Sequence, residues 1–254
     1  MNNFIKLYYS YIKLSNIHPF EKNNHKFIGM FGKTYEHNKI IATKLYFNIE
    51  KSINHASFPY QDKINLYEKY EPYIDYTRTF SNCIAIKKDL TKNKFTEYFH
   101  LKFNNQFKFD ETDTFYNINL NNYKKGISVE FDKTKQDIKR YYYISDILDI
   151  QTIFNQFNIK ENASELKYIE FTFNPTKSIF IYKNADTEKL LKGITNNCPA
   201  NVLLDVNAMT DRFGVKPCLF GKYYNTSKYT VYWDLNFNNF NLGSDLFKYI
   251  TEQS

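Results

Sequence analysis

Residues 39–50 read KIIATKLYFNIE, which alternates as a β-strand does but carries Lys44 in its middle. Successive strand side chains point to opposite faces. Ile41, Thr43, Leu45 and Phe47 therefore share one face, and Ala42, Lys44, Tyr46 and Asn48 share the other. That second face holds a cation and a phenol, which are either solvated or aimed into an enclosed space. The preceding residues complete the unit: HKFIGMFGKTYEHNKIIATKLYFNIE (25–50) is two alternating runs around the polar turn EHNK, the pattern of a β-hairpin.

The pattern recurs along the chain. NCIAIKKDLTKNKFTEYFHLKFNN (82–105), GISVEFDKTKQDIKRYYYIS (126–145), YIEFTFNPTKSIFIYK (168–183) and KPCLFGKYYNTSKYTVYWDLNF (216–237) give five hairpins and ten candidate strands. FGKTYEHNK in the first hairpin and FGKYYNTSK in the fifth are similar, though short enough to coincide by chance. Between hairpins, residues 60–75, 145–157 and 184–194 space apolar residues by three and four and predict helices, with Ser145 and Asp186 as N-caps of the last two. Residues 4–14 and 243–250 predict an initial and a terminal helix, whereas 106–125 has no helical period. The expected fold is α+β, a ten-stranded antiparallel barrel or strongly curled sheet surrounded by helices. Long twisted sheets curl, and closure removes exposed edges.

Composition bounds the rest. At 254 residues with no Gly/Pro/Ser-rich divider, 1–254 is expected to be one domain. The chain has 23 Tyr and 24 Phe, but such abundance accompanies AT-rich coding, so only position carries a signal. A net charge of +7 suits an anionic partner, or simply a Lys-rich surface. Cys83, Cys198 and Cys218 lack CxxC spacing and read as reduced, buried thiols of a cytoplasmic protein. Lys6 and Lys13 interrupt residues 1–20, which predict neither a signal peptide nor a spanning helix, so no membrane partner is expected. There is no GxxxxGK[ST], HExxH or GxSxG, and no Cys/His metal spacing. DETD (110–113) has the look of an Asp-rich metal motif but reads as a solvated turn.

The second strands of the hairpins can be compared face by face. Lys44 and Tyr46 share a face, as do Tyr98, His100 and Lys102, then Arg140 and Tyr142, then Phe180 and Tyr182, while Tyr232 lies between Thr230 and Asp234. Each could be an ordinary solvated face. Recurrence over several hairpins points instead to a shared interior, into which Tyr46, His100, Arg140 and Tyr182 are expected to project together. Converging cations make an anion site suited to diphosphate. Aromatic faces beside it stabilise a carbocation through their negative quadrupole. Together they describe ionisation of an allylic diphosphate.

NKIIATKLYFNIE, KKDLTKNKFTEYFHLKF, LKYIEFTFNPTKSIFIYK and CLFGKYYNTSKYTVYWDL resemble the hairpins of aromatic prenyltransferases of the ABBA barrel class, most of all the cyanobactin peptide prenyltransferases. The resemblance covers roughly a third of the chain and rests on strand pattern rather than a sharp signature. It implies transfer of a dimethylallyl or geranyl group from its diphosphate to a side chain of a ribosomal peptide or another aromatic acceptor, with Mg²⁺ bound alongside the diphosphate. It implies diphosphate binding by Lys44 and Lys102, to which the face comparison adds His100 and Arg140. Tyr182 and Tyr232 fall at the family's aromatic positions and, with Tyr46 and Tyr142, would shield the cation. Where the family has a glutamate on the first strand, this chain has Gly29 and Met30. Glu130 or Glu170 could face the lumen and act as the catalytic base instead, or each could be a rim residue paired with lysine. The alternative function is a non-catalytic β-rich module binding nucleic acid or another anionic ligand, or a metabolic binding protein of the same barrel class. Phosphate-backbone binding would weaken steeply with salt.

Overall fold

The computed structural model describes residues 29–48, 61–78, 82–131, 136–173, 176–182, 186–235 and 249. The helices expected at 4–14 and 243–250 lie outside these residues, Tyr249 excepted.

All five hairpins form. They are β1 (Gly29–Glu36) with β2 (Lys39–Asn48), β3 (Asn82–Asp89) with β4 (Lys94–Lys102), and, after the short strands β5 (Thr114–Phe115) and β6 (Ile118–Asn119), β7 (Lys124–Phe131) with β8 (Gln136–Ile144). β9 (Leu166–Phe173) with β10 (Lys177–Tyr182) and β11 (Pro217–Tyr223) with β12 (Tyr229–Asp234) complete the set. Because β1 pairs antiparallel with both β2 and β12, ten strands close into a barrel, and β5–β6 remain a separate pair. The turn of the first hairpin puts His37 (φ 45°) and Asn38 (φ 67°) in the left-handed region, as a two-residue loop joining right-twisted strands requires.

The barrel is apolar outside and polar inside. Phe31, Leu45, Ile86, Phe99, Val129 and Phe171 point outward into the main core, beneath the helices. Four α-helices lie among the described residues: α1 (Gln61–Tyr70), α2 (Ile147–Phe157), α3 (Thr187–Asn197) and α4 (Ala200–Phe213). On α2, Ile150, Ile153, Phe154 and Phe157 form one buried stripe, and the Phe154 and Phe180 ring centroids are 4.9 Å apart. Fully burying one such side chain contributes about 1.5–3 kcal/mol. α2 begins one residue later than expected: the Asp146 carboxylate, rather than Ser145, accepts the Leu148 and Asp149 amides. Asp186 caps α3 as expected. α4 extends the unassigned link before the fifth hairpin, burying Val202, Val206, Met209 and Phe213, whose spacing of four, three and four carried the helical signal. It is anchored by an ion pair at 2.9 Å between Asp205 and the 1%-exposed Lys33 of β1. Residues 106–125 are non-helical apart from a single turn at Leu120–Asn122.

An eight-stranded barrel is just wide enough to be filled by its own side chains. Ten strands leave a lumen.

Candidate functional site

The lumen holds a cavity of about 340 Å³, at the lower end of the range for small-molecule sites. It extends to the hairpin-turn end, where Thr91, Lys92 and Lys228 line it. Two glycines shape its wall. A Cβ on Gly32 would meet the Tyr232 ring at 2.9 Å, and one on Gly221 would meet the Lys177 stem at 2.8 Å. The repeated Phe-Gly-Lys of the first and fifth hairpins thus makes room for one aromatic ring and one cation.

Lysines and tyrosines cluster in the middle of the lumen. Lys44 and Lys87 sit opposite each other in the β2–β3 register, and neither has a hydrogen-bond or ion-pair partner among the described residues. Burial, and then the neighbouring Lys44 charge, lowers the Lys87 pKa. Lys177, 5% exposed, donates to Tyr232 Oη at 2.9 Å and Thr230 Oγ1 at 3.2 Å, and lies 4.6 Å from the Tyr223 ring centroid. Burial raises the Tyr223 phenol, but the Lys177 and Lys44 charges more than offset this and hold it well below the ordinary phenol value. Tyr46 packs edge-on to Tyr232 at 6.0 Å, and burial raises its phenol well above the usual range.

A second group lies toward the far end. Glu170, 4% exposed, has Oε1 3.5 Å from His100 Nε2 and Oε2 3.7 Å from Lys102 Nζ. Burial takes the His100 pKa down to about 4 against the pull of Glu170, so the imidazole is neutral at neutral pH. Its ring meets Tyr141 edge-on at 4.7 Å. Glu130 shares this inner face nearer the hairpin turns, where it accepts from Lys139 at 3.1 Å. Met30 of β1 also lines the lumen.

Lys44, Tyr46, His100, Lys102, Glu170 and Tyr232 therefore share one cavity. Arg140, Tyr142 and Tyr182 do not. Arg140 and Tyr142 point outward: Arg140 Nη1 donates to Asp113 at 2.8 Å and Nη2 to Glu111 at 2.8 Å, and the Tyr142 hydroxyl also donates to Asp113. Asp113 is 6% exposed, so the end of the DETD stretch is a buried anchor rather than a solvated turn. Tyr182 points outward as well, with its hydroxyl donating to Glu161 at 2.8 Å beside α3, on the same face as Phe180. In both strands the inner face is the other one, carrying Lys139 and Tyr141 in β8 and Lys177 and Ile179 in β10.

The described side chains do not build a metal site. No cluster of three His, Cys, Asp or Glu occurs among the described residues, and Glu36, Glu130 and Glu170 on the inner face each already face a lysine. No described helix is long and apolar enough to cross a membrane. Compared with protein-family models and with curated proteins, the chain matches none.

Proposed function

We propose that the barrel transfers an isoprenyl group, dimethylallyl or geranyl, from its diphosphate to a side chain of a peptide or another aromatic acceptor, in the manner of ABBA-class prenyltransferases. One observation carries this reading: Lys44, Lys87 and Lys177 converge inside a Tyr-lined lumen, and neither of the first two makes a direct ion pair or hydrogen bond among the described residues, Lys87 feeling Asp89 and Glu130, and Lys44 feeling Tyr223, only at longer range. Like charges collected in a partly buried space call for an anion, and a diphosphate offers several oxygens for charge-assisted hydrogen bonds. In the proposed reaction the allylic C–O bond breaks with its electron pair leaving on the diphosphate. The ring faces of Tyr46, Tyr223 and Tyr232 shield the allylic cation. The acceptor supplies the pair for the new bond, and its proton passes to Glu170, whose neighbour His100 is neutral. Mg²⁺ belongs to this proposal only as a counter-ion carried by the diphosphate, and no step is routed through it.

Incubation with dimethylallyl diphosphate, Mg²⁺ and a mixture of aromatic peptides, read by mass spectrometry, tests the reading. It predicts an acceptor heavier by one isoprenyl unit. No adduct with any acceptor, together with nucleic-acid binding that falls steeply with salt, would favour the binding-module alternative.

A further inference from the structure

A second, larger pocket of about 1010 Å³ lies at the barrel end opposite the hairpin turns, among the strand-end residues Asn104, Lys124, Ser145 and Lys167. Its charge is one-sided. Arg78, Lys108, Lys124, Lys125 and Lys167 line it against one acid, Asp75. Lys124 is 3.5 Å from Asp75, and Lys125 donates to the Asn121 and Tyr123 carbonyls, whereas Lys108 and Lys167 have no partner among the described residues.

Arg78 is held flat. Its guanidinium carbon lies 3.8 Å from the Tyr143 ring centroid and 5.6 Å from that of Tyr168, which fixes the plane of the donor fork. Yet its Nη1 is buried and finds no partner among the described residues, and the same holds for the Tyr143 hydroxyl and for Asn121 Oδ1. Buried polar atoms are overwhelmingly hydrogen-bonded, so three around one pocket mark groups built for a ligand. Their chemistry is mixed. Arg78 needs an acceptor, and a fixed guanidinium plane matches a planar carboxylate. Asn121 Oδ1 needs a donor, which inorganic phosphate supplies poorly and a peptide N–H supplies well. Phe107 and Phe109 give the pocket an apolar wall.

From this we infer that the pocket docks an acidic peptide segment, with a Glu or Asp carboxylate on Arg78 and backbone amides on Asn121. The inference concerns a site separate from the lumen and stands whether or not the barrel transfers an isoprenyl group.

Fluorescence anisotropy on the full chain tests it, with a fluorescein-labelled peptide of alternating Glu and Phe, its Gln counterpart, and inorganic phosphate and pyrophosphate as competitors. The acidic peptide should bind and the Gln peptide bind at least tenfold more weakly. Arg78→Gln should weaken binding about tenfold or more, the loss of one charge-assisted contact. The exposed pair Lys108→Gln/Lys167→Gln, which keeps the fold if Arg78→Gln does not, should weaken binding and flatten its salt dependence. Absence of binding to the wild type, or unchanged affinity in the variants that remain folded, overturns the inference. So does displacement of the peptide by phosphate as readily as by unlabelled peptide, which would make this a small-anion site.

Discussion

Replacing Lys177 with Met will raise the pH at which Tyr223 ionises. Lys177 is 5% exposed, donates to Tyr232 and Thr230, and places its charge 4.6 Å from the Tyr223 ring centroid. Burial alone would push the Tyr223 phenol up; the Lys177 charge is the largest influence holding it down, followed by Lys44. Methionine keeps an unbranched apolar stem, one atom shorter, and removes the charge. One charged interaction of about 1.5–3 kcal/mol, at about 1.4 kcal/mol per pH unit, corresponds to an upward shift of about one to two units. Ultraviolet titration of the tyrosinate band in wild type, Lys177→Met and Tyr223→Phe measures it. The wild type should show one phenol ionising well below the rest, absent from Tyr223→Phe and shifted upward in Lys177→Met. A wild type without such a phenol, or a step that Lys177→Met leaves in place, refutes the reasoning.

Two further outcomes follow from the buried charges. His100 has its pKa lowered from 6.5 to about 4, so the unfolded chain takes up the proton first. The neutral imidazole's contribution, about 3 kcal/mol, is complete above the unfolded value and is lost as pH falls through the folded one. Urea unfolding should therefore show His100→Gln losing less stability than wild type over that window, and equal losses would contradict the assignment. Asp113→Asn leaves Arg140 and Tyr142 without their buried carboxylate, although Arg140 keeps Glu111, and should cost about 1–3 kcal/mol in denaturant unfolding. Glu111→Gln, on the exposed side of the same arginine, should cost about 1 kcal/mol or less. Equal, small effects would return Arg140 to a solvated role.

The hairpins were legible because each strand alternates and each turn breaks the alternation with polar residues. Assigning faces succeeded where the two faces differ in kind: in β2, Leu45 outside against Lys44 and Tyr46 inside, and in β4, Phe99 and Leu101 outside against His100 and Lys102 inside. It failed in β8, where RYYYI offers aromatic residues on both faces, and in β10, where SIFIY has large apolar residues on both faces and its aromatics lie on the outer one. Cross-strand pairing held the missing signal, because directly paired residues share a face. Arg140 pairs with Ile127 and Phe180 with Ile169, both core residues, which puts them outside. Lys177 pairs with Thr172, two residues from Glu170 on β9, which puts it inside with the acid. Lys87, opposite Lys44, was open to the same deduction. The Asp113 anchor was not, since its partner Arg140 is reached only through the folded path of residues 106–125. The second pocket gathers Arg78, Asn121, Tyr143 and Lys167 from separate connections and strands, a juxtaposition no local pattern encodes.

The most direct test of the central claim, that the lumen lysines hold a diphosphate, is calorimetric titration of dimethylallyl diphosphate into wild type, Lys44→Ala and Lys87→Ala. Lys44 and Lys87 face each other without a direct ion-pair partner among the described residues, so removing either trades relief of their mutual repulsion against longer-range attraction to Tyr223 and Asp89 and should leave thermal stability little changed. Binding should weaken by about 1.5–3 kcal/mol, the scale of one charged hydrogen bond, in each variant. Wild-type binding that both alanine variants retain at full strength, or no binding by the wild type, would contradict the claim and leave Lys44 a solvated strand residue.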